Sequence, residues 1–592
     1  MKYFLSNEPP VAYNKLNDGT LEMFGTAFGS EVTSEKILFL QDLISKYDIH
    51  SVVLKWFHFD EKMLRIFDVF DEKLQKSVKS VTFDKCYFPE GLVFEGALEL
   101  NYATDCSFIH CFANEETFKV VFKIFKNAPV TSLKISRVFN YKQYEAINTN
   151  IALKSMVIWN NSERSVKIND LELHSFFSSV KFLTLSSLLD FEHFSLTSLK
   201  NLDYVDLSDA DIVKLCISKL FERLPTNVTR ISVSFSYYYS NSSFIESAFN
   251  RKVIINTRFP FKYDEINDSK ALSVFSSLHF KMDEITDKMN AIKEYVESNG
   301  GAINTVTSVK FYMAFNYQNI TNMMTLLTYF PKLDSIVVWF INNCDASIND
   351  DQILKLFSTP FNGKVKRLSI YYEQVEDTSA FYCFIVELMK MCPNISSLEF
   401  HYSSSNYFAI NIKKIVEGKD IQFSDLNTFA VEYCSANVDL SVDLFYVAKY
   451  NIKNLTMNIN PLDSRKKPVE CSNWSCPFEY FSVDKLIFYM RNSSAFRSLL
   501  SDFLTKCPHV TNFSWDSDFI GSISTSDLQK MKTLKNVIVK HIVRVDDFSK
   551  LLLQLPHYLE SLEIECSTYE IEEIEKGYYE KFPTASLTMN AV

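Results

Sequence analysis

A short pattern of apolar positions, apolar-x-x-apolar-x-apolar, returns again and again along the chain from residue 49 onward. It reads VTSLKI from Val130, LDSIVV from Leu333, VKRLSI from Val365, ISSLEF from Ile395 and LESLEI from Leu559. Its last two apolar residues stand two apart, the alternation of a strand with one buried face. Full copies start at Ile49, Val78, Val130, Leu153, Val180, Leu202, Val228, Phe275, Val306, Leu333, Val365, Ile395, Leu426, Ile452, Val483, Val510, Leu534 and Leu559. Neighbouring starts are mostly 22 to 32 residues apart, a period expected of stacked repeats. Degenerate copies are expected in the two wide gaps, around Leu98 to Leu100 and Val253 to Ile255, and a partial copy, Leu587 to Met589, near the end.

Proline punctuates the same pattern. Pro129, Pro225, Pro331, Pro393, Pro508 and Pro556 each precede a copy by one to three residues, and Pro583 shortly precedes the partial copy at Leu587. Proline cannot continue a helix and biases its predecessor toward extended backbone, so it stops a helix where a strand must begin. The stretches before it carry helical apolar spacing, as in DIVKLCISKLFERLP from Asp211, ITNMMTLLTYFP from Ile320 and FRSLLSDFLTKCP from Phe496. Each unit therefore reads strand, turn, helix, turn.

With these units the chain resembles the leucine-rich repeat superfamily in its helix-containing form, similar to ribonuclease-inhibitor-like proteins and the repeat regions of F-box proteins. Cys86, Asn161, Cys434 and Asn460 occupy the N/C position of the LxxLxLxxN/C pattern, whereas other copies carry Leu188, Glu373 or Arg491 there. The resemblance implies an α/β solenoid, a horseshoe with a parallel β-sheet on its concave face and helices on its convex face.

Composition narrows the function. Aromatics make up 15% of residues, with 52 Phe, enough to fill the space between strand and helix layers. Only 11 glycines occur, and neither GxGxxG nor GxxxxGK[ST] is present, which argues against phosphate-cradling loops. A net charge of −11 argues against general nucleic-acid binding. The run Arg465, Lys466 and Lys467 reads as a solvated loop, and the glutamates from Glu560 to Glu575 as a polar cap on the last repeat. The absence of a long apolar span and of a signal-peptide core predicts a cytoplasmic or nuclear protein without membrane contact. Its 12 cysteines, several at repeat positions, read as small buried hydrophobes.

No catalytic pattern emerges, and no cofactor is expected. The nearest metal-like groupings, Cys106 with His110 and Cys111, and Cys471 with Cys476, lack a matching second half. Residues 1–48 read as an irregular segment followed by a helix, SEKILFLQDLISKY from Ser34, that caps the solenoid of residues 49–592. Within the solenoid, 281–305 is a candidate break and 460–481 a candidate insertion.

If the second and third apolar residues face the core, the residues between and beside them face the opposite side of the sheet. Directly after the third apolar residue, four successive copies carry Tyr312, Trp339, Tyr371 and His401. Trp159 holds this position in an earlier copy, and Tyr204 stands just before a second apolar residue. Such a row either packs ring on ring or forms a ridge for a protein partner, since Tyr and Trp concentrate interface energy. The expected function is a non-enzymatic scaffold binding a protein on its concave face. The alternatives are a substrate receptor of a ubiquitin ligase, although no F-box pattern precedes the repeats, and an enzyme or inhibitor built on the same horseshoe.

Overall fold

The computed structural model of the protein describes residues 13–591 apart from 15–18, 26–30, 93–99, 137–152, 160–177, 187–194, 209–213, 234–241, 264–267, 342–347, 374–377, 403–413, 416–420, 434–451, 460–483, 491–509, 518–532, 567–573, 583–585 and some shorter breaks. The candidate insertion at 460–481, the helix expected before Pro508, the Cys471 and Cys476 pair, and Asn161, Cys434 and Asn460 lie outside the described residues. The chain forms two units, Met1–Phe259 and Pro260–Val592. Each contains one large sheet. The first has eleven strands, from Tyr13–Asn14 to Ile254–Thr257, and the second has thirteen, from Phe261–Lys262 to Ser586–Ala591.

In both sheets the strands follow one another in sequence order. All neighbouring pairs are parallel except Tyr13–Asn14 with Thr20–Phe24, which is antiparallel. A parallel sheet in sequential order requires a crossover after every strand, so one strand belongs to each repeat. All eighteen full copies of the apolar pattern become strands, each starting two residues after the first apolar residue. Val306 thus leads into Ser308–Ala314, Leu333 into Ser335–Ile341, Val365 into Arg367–Tyr372 and Ile395 into Ser397–Tyr402. The entry to most strands is fixed by a repeated bond, in which two successive N–H groups donate to one carbonyl of the preceding repeat. Asp334 and Ser335 donate to Thr307, Lys366 and Arg367 to Asp334, and Ser396 and Ser397 to Lys366.

Two expectations need correction. The copy sought at Leu98 to Leu100 is instead the strand Asp105–Ile109, whose inward residues are Cys106 and Phe108 after a buried Ala103. Small Ala and Cys fill the positions that larger apolar residues mark elsewhere. Residues 1–48 are not merely irregular ahead of their helix. Thr20–Phe24 buries Leu21 and Met23 and pairs in parallel with Ser51–Lys55, so the sheet begins one repeat earlier than the pattern. The expected helix forms over Ser34–Ser45. Segment 281–305 lies inside the second unit, where its helix Met289–Ser298 buries Ile292 and Val296.

Burial follows the strand alternation. Val309, Phe311, Ile336, Val338, Leu368, Ile370, Leu398 and Phe400 are all buried. Helices close over this face: Phe340 meets the Phe381 and Phe384 rings of helix Ser379–Met391 at 5.3 and 5.5 Å. Polar caps start these helices where the strand connection ends. Asn316 accepts from the Asn319 N–H, Thr378 from the Phe381 N–H, and Asn349 forms a reciprocal capping box with Gln352. The stretch before Pro225 winds as a 3₁₀ helix, Lys214–Arg223.

Three consecutive repeats of the first unit share a turn just beyond the strand. Trp56, Lys85 and His110 take left-handed backbone, with φ of 60, 54 and 51°. This reversal buries the next residue, Phe57, Cys86 or Cys111. The Cys86 thiol donates to the Leu54 carbonyl at 3.2 Å and the Cys111 thiol to the Phe83 carbonyl at 3.3 Å. Both thiols thus bond the backbone of the preceding strand.

Candidate functional site

The outer face of the second unit's sheet, opposite the helix-covered side, carries the expected aromatic row. Register places Tyr312 beside Trp339, Trp339 beside Tyr371 and Tyr371 beside His401. Because parallel strands lie about 4.8 Å apart, rings in register come within stacking distance. Trp339 and Tyr371 stack with centroids 4.9 Å apart and planes 13° apart, and Tyr371 and His401 at 4.4 Å and 17°. Tyr312 approaches Trp339 at 6.0 Å with planes tilted by 55°. His279, on the preceding strand but one row over, makes an edge contact to Tyr312 at 6.1 Å. All four residues of the row are half-buried. The rings therefore pack on one another and still present an edge to the outside.

A middle row of side chains, between the second and third apolar positions, decides the electrostatics of this face. Register orders it His279, Lys310, Val337, Ser369 and Glu399. Glu399 accepts from the Ser369 hydroxyl at 2.9 Å, the Ser397 hydroxyl at 3.2 Å and His401 Nε2 at 3.2 Å. The His401 bond, against the opposing effect of burial, holds the Glu399 carboxyl below its ordinary range. Lys310 Nζ lies 4.3 Å from the Trp339 ring centroid, and burial lowers its pKa. The Trp339 indole N–H is buried, with no acceptor among the described residues.

Lys310, Ser369 and Glu399 escape a search for aromatic residues alone. Their signal in the sequence is a charged or small polar residue between two apolar ones, which looks like any solvated strand position until the neighbouring repeat is in place.

Trp159 and Tyr204 belong to the first unit. Trp159 ends the strand Ser155–Trp159 in register with Ser186, whereas Tyr204 begins Tyr204–Leu207 in register with Phe182. Sheet register thus sets them in different rows. The Tyr204 hydroxyl is 2.7 Å from the Ser232 hydroxyl, its ring meets Phe182 edge-on, and burial raises its pKa.

Among the described residues no group of three His, Cys, Asp or Glu is placed to hold a metal ion. In the Cys106, His110 and Cys111 grouping both cysteines are buried, and that burial pushes their thiols well up. Burial also pushes the Cys392 thiol up to about 12, so none of the three is poised as a thiolate. No helix among the described residues is long and apolar enough to cross a membrane. No protein-family model matches the chain, and no curated protein matches it significantly.

Proposed function

We propose that the chain is a non-enzymatic scaffold of the helix-containing leucine-rich-repeat type that binds a protein partner on the outer sheet face of its second unit. One observation carries the reading: Tyr312, Trp339, Tyr371 and His401 line up across four strands, in ring contact and half-buried, on the side of the sheet away from the helices. Ring contact holds the side chains in place before a partner arrives, which lowers the ordering cost of binding. Aromatic anchors of this kind carry a large share of interface energy when a partner completes their burial.

The test is affinity capture from cell extract with mass spectrometry, using wild type and a Tyr312→Ala, Trp339→Ala, Tyr371→Ala triple variant as baits. The reading expects a stable partner that the triple variant loses while its thermal melt stays cooperative, since truncating an interface anchor often costs about 2 kcal/mol or more of binding. A triple variant that keeps every captured protein would place the binding face elsewhere. Capture of ligase adaptor subunits would favour a substrate receptor instead.

A further inference from the structure

Lys310 stands out on the proposed face because its charge has no counter-charge. Its ammonium is half-buried over Trp339, and among the described residues no hydrogen-bond acceptor or carboxylate reaches it. Neighbouring cations are engaged: Lys281 pairs with Glu284 at 2.9 Å and Arg367 with Asp334 at 3.0 Å. Glu399, the acid of the same row, already accepts from three donors. A half-buried ammonium with only an aromatic face for company loses hydration and recovers little of it. The chain carries a net charge of −11, yet among the described residues none of its acids pairs with this ammonium.

We propose that this face receives an acidic segment of a protein partner, seating a carboxylate on the Lys310 ammonium while an adjoining apolar residue packs against Tyr312 and Tyr371. The inference rests on the reading of this face as partner-binding. Charge complementarity selects the occupant. A carboxylate arriving over the rings forms a charge-assisted hydrogen bond in a setting poorer in water than the open surface, where it is stronger. A neutral or basic segment would seal the ammonium beneath it unpaired, so the same residue discriminates against other partners.

The experiment is a selection of random displayed peptides on the full chain, discarding binders that a Tyr312→Ala, Tyr371→Ala variant also retains. The expected consensus carries Asp or Glu next to an aliphatic or aromatic residue. A synthetic peptide with that consensus should bind Lys310→Met about tenfold or more weakly than wild type, with Lys310→Arg recovering most of the loss. Lys310→Met should melt no lower than wild type, because it sheds a half-buried charge.

If face-dependent peptides carry no acid, or bind Lys310→Met unchanged, the carboxylate assignment is overturned and the face survives as a binding surface. If no peptide depends on Tyr312 and Tyr371, both readings fall. Lys310-dependent binding of a single-stranded oligouridine tighter than that of the peptide would mark a nucleic-acid site and overturn the proposal.

Discussion

Leu368 and Tyr371 are three residues apart on one strand and show how alternation divides labour. Leu368 is fully buried beneath the helices, so Leu368→Ala should cost about 2 to 5 kcal/mol through lost burial and a cavity, read as a lower denaturation midpoint. Glu399 offers a test by pH. Its carboxyl is depressed from an ordinary value of 4.5, so its contribution to stability is complete above that value and is lost as pH falls through the lower folded value. Denaturation of wild type and Glu399→Gln across a pH series should therefore show a stability gap that narrows as pH drops below 4.5. A gap that widens toward acid would contradict the His401 bond as its cause. The buried Trp339 N–H supplies a third test, since an unsatisfied donor costs about 1 to 3 kcal/mol. Trp339→Phe should keep the melting temperature close to wild type, its smaller ring offset by removal of that donor, whereas Trp339→Ala should lower it. Neither this orphaned donor nor the unpaired Lys310 can be read from sequence, because each depends on which atoms the neighbouring repeats bring near.

At the scale of the element, strands were the most legible feature. Val306, Leu333, Val365 and Ile395 mark their strands to the residue, because a parallel sheet repeats the same inward spacing in every copy. Asp105–Ile109 was missed because Ala103 and Cys106 replace larger apolar residues and still permit the pairing, and Thr20–Phe24 because the sequence has Asp18 where the pattern calls for an apolar residue. The choice of a 3₁₀ helix over Lys214–Arg223 was hidden as well, since apolar spacing over ten residues does not separate the two helix types. Helix entry is set by caps that the sequence shows plainly once the strand ends are known. Asn349→Ala removes the half of the capping box in which its side chain accepts from the Gln352 N–H and should cost about 1 kcal/mol, with faster amide exchange confined to Asp350–Leu356. Exchange that rises across the neighbouring strands as well would show that the helix and sheet open together.

For the whole molecule, the pattern of copies gave no sign that two sheets exist. The spacing runs on from Val253 to Phe275 like any other, yet the first sheet ends at Ile254–Thr257 and the second begins at Phe261–Lys262. Each unit has its own sheet and core, and repeats draw their stability from their neighbours. Residues 1–259 and 260–592, expressed separately, should each melt cooperatively. Failure of both to fold would show that the two depend on each other. The aromatic row lies wholly within Pro260–Val592, so that piece alone should retain whatever the face binds.

The stacked rings also act as a chromophore. Two nearly parallel aromatic rings with centroids 4.9 Å apart mix their electronic transitions, and the strand register fixes their mutual orientation. Trp339 and Tyr371 should give a near-ultraviolet dichroism band that disappears in Tyr371→Leu while the far-ultraviolet spectrum of the sheet is unchanged. An occupant pressing on this ladder would alter the band and the emission of Trp339, so the protein carries its own unlabelled optical gauge of what lands on that face.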